Sequence, residues 1–220
     1  MSIELKKRFF TAIFLIALLV AMYIYPFVMI ISLIIIGIIT WVEFYALISK
    51  IIISNTLKSK FLRFLFKASS LLYLSLLIFF IIVIESYYIN LKLYFVYTLL
   101  VAIFSDIGGL IFGKFFKGKK LTKISPNKTI SGSIGSFVLP FLLIPFFHSE
   151  LIKYDSLTLI MITILISLTT QLGDLFISYL KRKAKVKHTS NILPGHGGFL
   201  DRIDGIIFAI PVGILLFNFI

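Results

Sequence analysis

Long apolar segments alternate with short polar ones along the whole chain. A helix needs about 20 apolar residues to cross a bilayer. Seven segments meet or approach this length, at residues 9 to 25, 27 to 48, 69 to 89, 93 to 116, 133 to 148, 157 to 180 and 203 to 219. Pro26 marks a tight turn between the first two, and Pro140 and Pro145 predict a kink in the fifth. The pattern predicts an all-α, polytopic integral membrane protein with about seven transmembrane helices and no soluble domain.

Composition agrees with this prediction. Of the 220 residues, 60% are hydrophobic and 14% are charged, and a soluble domain of this length could not bury so many apolar side chains. We therefore interpret residues 1–220 as one membrane domain, with N-terminal helices in 1–92 and a second group of helices and loops in 93–220. The chain has no cysteine, which excludes disulfides and thiolate metal ligands.

The net charge of +13 would suggest a nucleic-acid partner in a soluble protein, but the positions of the cations indicate membrane topology instead. Nearly all lysines and arginines fall in four polar segments, which are the N-terminus and residues 49 to 68, 114 to 128 and 181 to 202. With seven helices these segments share one side, which the positive-inside rule makes cytoplasmic. We expect no nucleic-acid partner, a location in the cytoplasmic (inner) membrane and an active site that faces the cytoplasm.

Residues 178 to 205 carry the densest set of reactive groups, SYLKRKAKVKHTSNILPGHGGFLDRIDG. Clustered cations come first, followed by Gly197 and Gly198, whose backbone N–H groups can approach phosphate oxygens closely. Asp201 and Asp204 are three residues apart, so they share a face and can bridge divalent cations if Asp201 opens a helix. A basic loop flanking a membrane helix would explain the lysines, but it requires neither the His-Gly-Gly sequence nor two acids at helical spacing.

Four acids lie within or at the edge of apolar segments, where a carboxylate costs about 2.5 to 3.5 kcal/mol. They are Glu43, Asp106, Asp174 and Asp204. In the predicted topology all four lie just below the cytoplasmic headgroups, and Asp174 precedes Lys181 by roughly 10 Å of helix. Small residues around Asp106 and Asp174 indicate close helix packing or a wet cavity, so we expect these two acids to be functional. For Glu43 a structural role and a functional role remain equally open.

The stretch 178 to 205 resembles the C-terminal signature of the phosphatidate cytidylyltransferases, the CDP-diacylglycerol synthases. The positions that match in order and spacing are Ser178, Leu180, Lys181, Arg182, Lys187, Ser190, Leu193, Pro194, His196, Gly197, Gly198, Phe199, Asp201, Arg202, Ile203 and Asp204. His188 stands where the family usually has an aspartate.

A second stretch, residues 106 to 132, resembles another recurrent element of that family. In it an aspartate-bearing helix runs into a basic loop with a Ser-Pro-x-Lys-Thr sequence, here residues 125 to 129. Ser131 occupies a position where the family commonly has an acid, so no acidic role is carried over there.

The resemblance implies that CMP is transferred from CTP to phosphatidate, giving CDP-diacylglycerol and pyrophosphate, with Mg²⁺ as the cofactor. CTP would arrive from the cytoplasm and phosphatidate from the membrane, and the glycine-bearing helices are compatible with a homodimer. With the chemistry of the side chains, it implies catalytic roles for Asp174, Asp201, Asp204, Lys181 and Arg182. It implies substrate binding by Ser125, Lys128, Lys187, His196, Gly197, Gly198 and Arg202, and metal binding by Asp106, Asp174, Asp201 and Asp204.

Other functions remain open. A related enzyme could use CTP to phosphorylate or cytidylylate another lipid, such as a polyprenol. A secondary transporter of an anionic solute would also carry buried acids, glycines and cations, although the two halves show no internal repeat. A CDP-alcohol phosphotransferase also clusters aspartates, but the spacing of its usual Asp-Gly pattern is absent around Asp204 and Gly205.

Overall fold

The computed structural model describes residues 3–87, 89–195 and 197–219, and this part of the chain consists of helices joined by loops. The helices are α1 (Ile3–Ile24), α2 (Pro26–Ile51), α3 (Leu57–Tyr87), α4 (Ile89–Phe116), α5 (Ile130–Val138), a 3₁₀ helix (Leu139–Leu143), α6 (Ile144–Phe147), α7 (Ser156–Lys183), α8 (Leu200–Ile203) and α9 (Ile206–Phe219). The predicted all-α class is confirmed.

Five helical segments of the described chain are long and apolar enough to cross a membrane. They are α2, α3, α4, the continuous segment Ile130–Phe147 and α7. Helix α1 contributes a shorter apolar stretch, Phe9–Ile24, and α9 has 14 residues. These helices correspond to the seven predicted segments, so the prediction of a polytopic membrane protein is confirmed.

Pro26, Pro140 and Pro145 lie at starts or changes of helix. Pro26 is the first residue of α2, where a missing backbone N–H costs nothing. Pro140 lies in the 3₁₀ helix that separates α5 from α6, and Pro145 lies in the first turn of α6. The fifth apolar segment therefore changes from α-helix to 3₁₀ helix near its prolines, and the predicted kink stays a prediction.

Helix α3 begins at Leu57, well before the predicted start at residue 69. The hydrophobic pattern predicted only the apolar part of α3. The basic residues Lys60, Arg63 and Lys67 are spaced three and four residues apart, so they lie along one face of the same helix.

The chain forms two compact units. The first comprises Met1–Tyr87 and Leu180–Ile203, and α2 is its central helix, packing against α1, α3 and α8. Buried side chains of α2 and α3, such as Leu47, Ile81 and Ile84, form its apolar interior. The interpretation of residues 1–220 as a single domain stays a prediction.

The second unit comprises Tyr88–Tyr179 and Asp204–Ile220. Its core contains side chains of α4, α7 and α9, and the ring of Phe217 stacks on Tyr94 at 4.6 Å. Polar contacts also join the helices within this core. Ser105 and Ser167 lie within hydrogen-bond distance at 2.9 Å, and Ser167 donates to the carbonyl of Ser136 at 2.6 Å. Helices α4, α5 and α7 are therefore held together near the level of Asp106.

Candidate functional site

In the first unit, Glu43 of α2 holds both ends of the segment 189–200. Its side chain is buried, with the residue only 2% exposed. The Oε1 atom accepts hydrogen bonds from Ser190 Oγ (2.6 Å) and the Phe199 N–H (3.0 Å). The Oε2 atom accepts from Thr189 Oγ1 (2.7 Å) and the Leu200 N–H (2.8 Å). Four donors thus satisfy a carboxylate that would otherwise be costly to bury.

Between these ends the chain makes a tight turn. Leu193 and Gly197 exchange backbone hydrogen bonds of 2.8 and 3.1 Å, and Gly197 has a φ of +86°, a region that favours glycine. A Cβ added at Gly198 would overlap Thr189 Oγ1 and the Glu43 carboxylate. Both glycines are therefore needed for the shape of the turn.

Asp201 of α8 also accepts hydrogen bonds from both ends of this loop. Its Oδ1 accepts a hydrogen bond of 2.7 Å from Lys181 Nζ, and its Oδ2 accepts from the backbone N–H groups of Thr189 (3.0 Å) and Gly198 (3.1 Å). The Lys181 and Asp201 side chains are 10% and 4% exposed, so this is a buried ion pair. His188 Nδ1 lies 3.5 Å from Asp201 Oδ2.

The charge of Asp201 follows from these contacts. Burial alone would raise the pKa of its carboxyl, because it disfavours the charged form. The hydrogen bond and positive charge of Lys181, with the N–H groups of Thr189 and Gly198, outweigh burial and hold the pKa below its usual range. Asp201 is therefore an ionised carboxylate at neutral pH.

Asp201 and Asp204 do not lie on one continuous helix, which was the condition for placing them on a common face. Helix α8 has only four residues and ends at Ile203. Asp204 and Gly205 form a turn before α9, in which the Gly205 N–H donates to Asp204 Oδ1 at 3.0 Å. A short polar side chain that accepts a hydrogen bond from a neighbouring backbone N–H in this way favours a turn over a helix.

In the second unit, Lys128 and Asp174 form an ion pair between the Ser-Pro-Asn-Lys-Thr loop and α7. Both side chains are partly accessible, at 27% and 22%. The Lys128 N–H donates to the Ser125 carbonyl at 3.0 Å, and the side chain of Thr129 caps α5 through the Gly132 N–H. The turn and the cap fix the backbone on either side of Lys128.

Asp204 and Asp106 also belong to this unit. A Cβ added at Gly173 would stand 2.9 Å from the Asp204 carbonyl oxygen, so the backbone of Asp204 lies against α7 beside Asp174. Asp204 is buried. Asp106 is partly buried and follows Ser105, which contacts Ser167 of α7.

The other predicted site residues are cations on the surface or lie outside the described part. Arg182, Lys187 and Arg202 are exposed, and Arg182 contacts the Val186 carbonyl at 3.4 Å. The prediction for His196 falls outside the described residues.

Among the described residues, no three or more His, Asp or Glu side chains group closely enough to hold a metal ion. Oxygen ligands, several of them water, suit Mg²⁺. Asp174 fits such a site, because it is partly accessible and its Oδ1 receives a hydrogen bond of 3.3 Å from Ser178. Asp201 fits less well, since it is nearly inaccessible and both of its oxygens accept short hydrogen bonds within the loop.

Sequence reasoning left the role of Glu43 undecided. An acid within an apolar helix was the available signal, but its partners follow 146 to 157 residues later. Only the folded chain brings them together.

Comparison with known proteins gives both a family match and individual relatives. A profile described as the Cytidylyltransferase family matches residues 2–220. A protein of Rickettsia typhi named phosphatidate cytidylyltransferase is 44% identical over 115 residues, which are 49% of this chain and 50% of that protein. Proteins of the same name from Helicobacter pylori and Staphylococcus haemolyticus are 39% identical over 123 residues and 42% identical over 124 residues.

These matches cover 56% and 54% of this chain, respectively, and 46% of each relative. The chain thus spans about half the length of the curated relatives it matches.

Proposed function

Because the chain belongs to the cytidylyltransferase family, we propose that it transfers cytidylate from CTP to phosphatidate, forming CDP-diacylglycerol and pyrophosphate. The observation that carries this proposal is the family match over residues 2–220. The names of the three relatives, all phosphatidate cytidylyltransferases, support the choice of substrates.

The proposed reaction is a direct displacement at phosphorus. A phosphate oxygen of phosphatidate attacks the α-phosphorus of CTP and forms the new P–O bond. The bond between the α-phosphorus and the oxygen that bridges to the β-phosphorus breaks, and pyrophosphate leaves with that electron pair. Because both reactants are polyanions, the protein must supply positive charge and fixed geometry.

In the second unit, we propose that Lys128 binds phosphate beside Asp174. The two partly exposed side chains form an ion pair, so a lysine and a carboxylate are both available to a ligand that replaces their mutual contact. Ser125 shapes the turn before Lys128 through its carbonyl, and we propose that its hydroxyl binds phosphate as well. A bound Mg²⁺ would neutralise phosphate charge, and Asp174 is the residue best suited to hold it, with water and phosphate oxygens as the other ligands. Metal binding by Asp106 and Asp204 stays a prediction.

In the first unit, we propose that the exposed cations Arg182, Lys187 and Arg202 bind phosphate groups of the substrates. The N–H groups of Gly197 and Gly198 donate hydrogen bonds within the loop, to the Leu193 carbonyl and to Asp201 Oδ2. We therefore propose that these glycines, with Asp201 and Lys181, hold the loop in shape. They are positioning residues in this scheme.

We propose further that the phosphate-binding residues face the cytoplasm, where CTP is available. The cation-rich segments support this orientation through the positive-inside rule. A homodimer stays a prediction.

The test is incorporation of radiolabelled cytidylate into lipid by the purified chain in detergent. The reaction contains CTP, phosphatidate and Mg²⁺, and a parallel reaction contains EDTA. We expect CDP-diacylglycerol to form only when phosphatidate is present and metal is not chelated. Preferential transfer to a polyprenol phosphate, or no transfer by folded protein, would contradict the proposal.

A further inference from the structure

A groove in the first unit carries positive charge that the proposed reaction does not use. It has a volume of about 440 Å³ and lies between α2 and α3. The lining residues are Trp41, Tyr45, Lys60, Arg63, Phe64, Lys67, Ala68 and Leu71. This lining contains three cations and three aromatic rings, and no carboxylate.

The three cations are arranged along one face of α3. Lys60, Arg63 and Lys67 span roughly 10 Å of helix, and each contributes to the lining of the groove. Lys67 Nζ lies 3.2 Å from the centre of the Tyr45 ring, a cation–π contact. Arg63 Nη2 donates to the Ser54 carbonyl at 3.0 Å. Two of the cations are thus held at the groove by α2 and by the loop that follows it.

The groove lies where the apolar run of α3 begins, and the end of such a run is the part of a membrane helix expected near the headgroups. The cations precede an uncharged apolar run that begins at Ala68 and continues to residue 84. Trp41 and Tyr45 lie opposite them on α2, and such aromatic residues are enriched where the hydrocarbon meets the headgroups. Trp41 Nε1 donates to the Lys67 carbonyl at 3.1 Å, which joins the two helices at this level.

We propose that the α2–α3 groove binds an anionic phospholipid, with the lipid phosphate among Lys60, Arg63 and Lys67. The acyl chains would lie along the apolar face of α3, where Phe64 and Leu71 are exposed. Cations and an anionic headgroup are complementary in charge, and basic residues next to the membrane attract anionic lipids. None of the lining residues is among those assigned to cytidylate transfer.

Trp41 is the single tryptophan of the chain and lines the groove, so its fluorescence reports occupancy directly. The full chain is placed in nanodiscs of phosphatidylcholine with increasing amounts of phosphatidylglycerol whose acyl chains carry bromine, a contact quencher. Brominated phosphatidylcholine serves as the neutral reference. We expect the brominated anionic lipid to quench Trp41 at lower mole fraction than the neutral lipid does.

Substitutions distinguish lipid binding at the α2–α3 groove from a general attraction between the basic chain and anionic lipid. Lys60→Gln and Arg63→Gln should each weaken the preference for the anionic lipid about 5-fold. Lys119→Gln, an exposed lysine in the second unit, should leave it unchanged. Equal quenching by both lipids in the unsubstituted chain, or equal loss in all three variants, would overturn the proposal.

The phosphate group that these cations would bind is also present on soluble compounds. Glycerol phosphate added to the nanodiscs should not displace the anionic lipid, because it lacks the acyl chains. Displacement at millimolar concentration would overturn the assignment to a lipid. All readouts are fluorescence, so failure of this proposal is distinct from failure of the proposed transferase activity.

Discussion

The Ser190 hydroxyl donates a hydrogen bond of 2.6 Å to Glu43 Oε1, although 147 residues separate the two in sequence. The same carboxylate also accepts the N–H groups of Phe199 and Leu200. One side chain of a membrane helix therefore fixes both ends of the loop that contains Gly197, Gly198 and the start of α8. A change at Glu43 should reach the loop without any direct contact between Glu43 and a substrate.

Glu43→Gln tests this positioning role. The amide N–H₂ of the glutamine would face N–H and O–H donors that now bond to the carboxylate, so some of these buried donors would lose their acceptor. Each unsatisfied buried group costs about 1 to 3 kcal/mol. We expect faster proteolysis within residues 189–200 and reduced kcat, with a smaller change in KM for CTP. The measurements are limited proteolysis followed by mass spectrometry and steady-state kinetics.

Two further variants make the Glu43 result specific. Glu150→Gln makes the same change at an exposed residue and should behave like the unsubstituted chain. Glu43→Asp keeps the charge and should recover part of the lost activity. If Glu43→Gln left both the protease pattern and the kinetics unchanged, Glu43 would have no positioning role.

Hydrophobic patterning predicted most of the fold because each membrane helix is specified locally by its own apolar run. Helix α7, for example, was expected at residues 157 to 180 and is Ser156–Lys183. The start of α3 was missed because a basic helical turn at the membrane edge has no apolar signal. The site was harder, since the contacts of Glu43 and Asp201 depend on segments brought together only by tertiary packing.

The separation of α8 from α9 illustrates the same limit. The spacing places Asp201 and Asp204 on one face only if a continuous helix begins at Asp201, whereas the turn at Asp204 and Gly205 ends the first helix after four residues. The hydrogen bond from the Gly205 N–H to the Asp204 side chain competes with helix continuation. Residue spacing carries no information about which of these two arrangements is stabilised.

The buried pair of Lys181 and Asp201 should respond to removal of either partner. A single substitution removes the ionic partner of a buried charge, and breaking a buried ion pair typically costs about 3 to 5 kcal/mol. We expect Lys181→Gln and Asp201→Asn each to lower the thermal unfolding midpoint, and the double variant to lose less than the sum of the two. A double-mutant cycle in detergent measures this coupling, and additive losses would show that the two side chains do not stabilise each other.

The pH dependence of stability should also report on Asp201. Its pKa is lower in the folded chain than its usual value, so its ionised form stabilises the fold. This contribution is fully present above the unfolded pKa of about 4 and is lost as the pH falls through the lower folded value. We expect a decrease of the unfolding midpoint at acidic pH that is smaller in Asp201→Asn. Identical pH profiles for the two proteins would contradict this linkage.

Lys128→Gln separates activity from stability in the second unit. The ion pair of Lys128 and Asp174 is partly exposed, so its loss should cost at most about 1 kcal/mol. A lost contact to developing phosphate charge, in contrast, typically lowers kcat by about 100-fold. We expect near-normal unfolding with strongly reduced cytidylate transfer, whereas Lys119→Gln, an exposed lysine earlier in the same loop, should retain activity. Similar activity in the two variants would remove Lys128 from the proposed site.

Gly198→Ala tests whether the loop tolerates any side chain at its closest approach to Glu43. An added methyl group would overlap both Thr189 Oγ1 and the carboxylate, so the hydrogen bonds around Glu43 cannot all persist. We expect a lower unfolding midpoint and faster cleavage within residues 189–200. Gly113→Ala is the matched control, because its Cβ would stand 3.2 Å from Thr129 Oγ1, a contact that a small shift relieves. Since alanine is favoured over glycine inside a helix, Gly113→Ala should be neutral or mildly stabilising, and equal destabilisation of both variants would contradict the special role of Gly198.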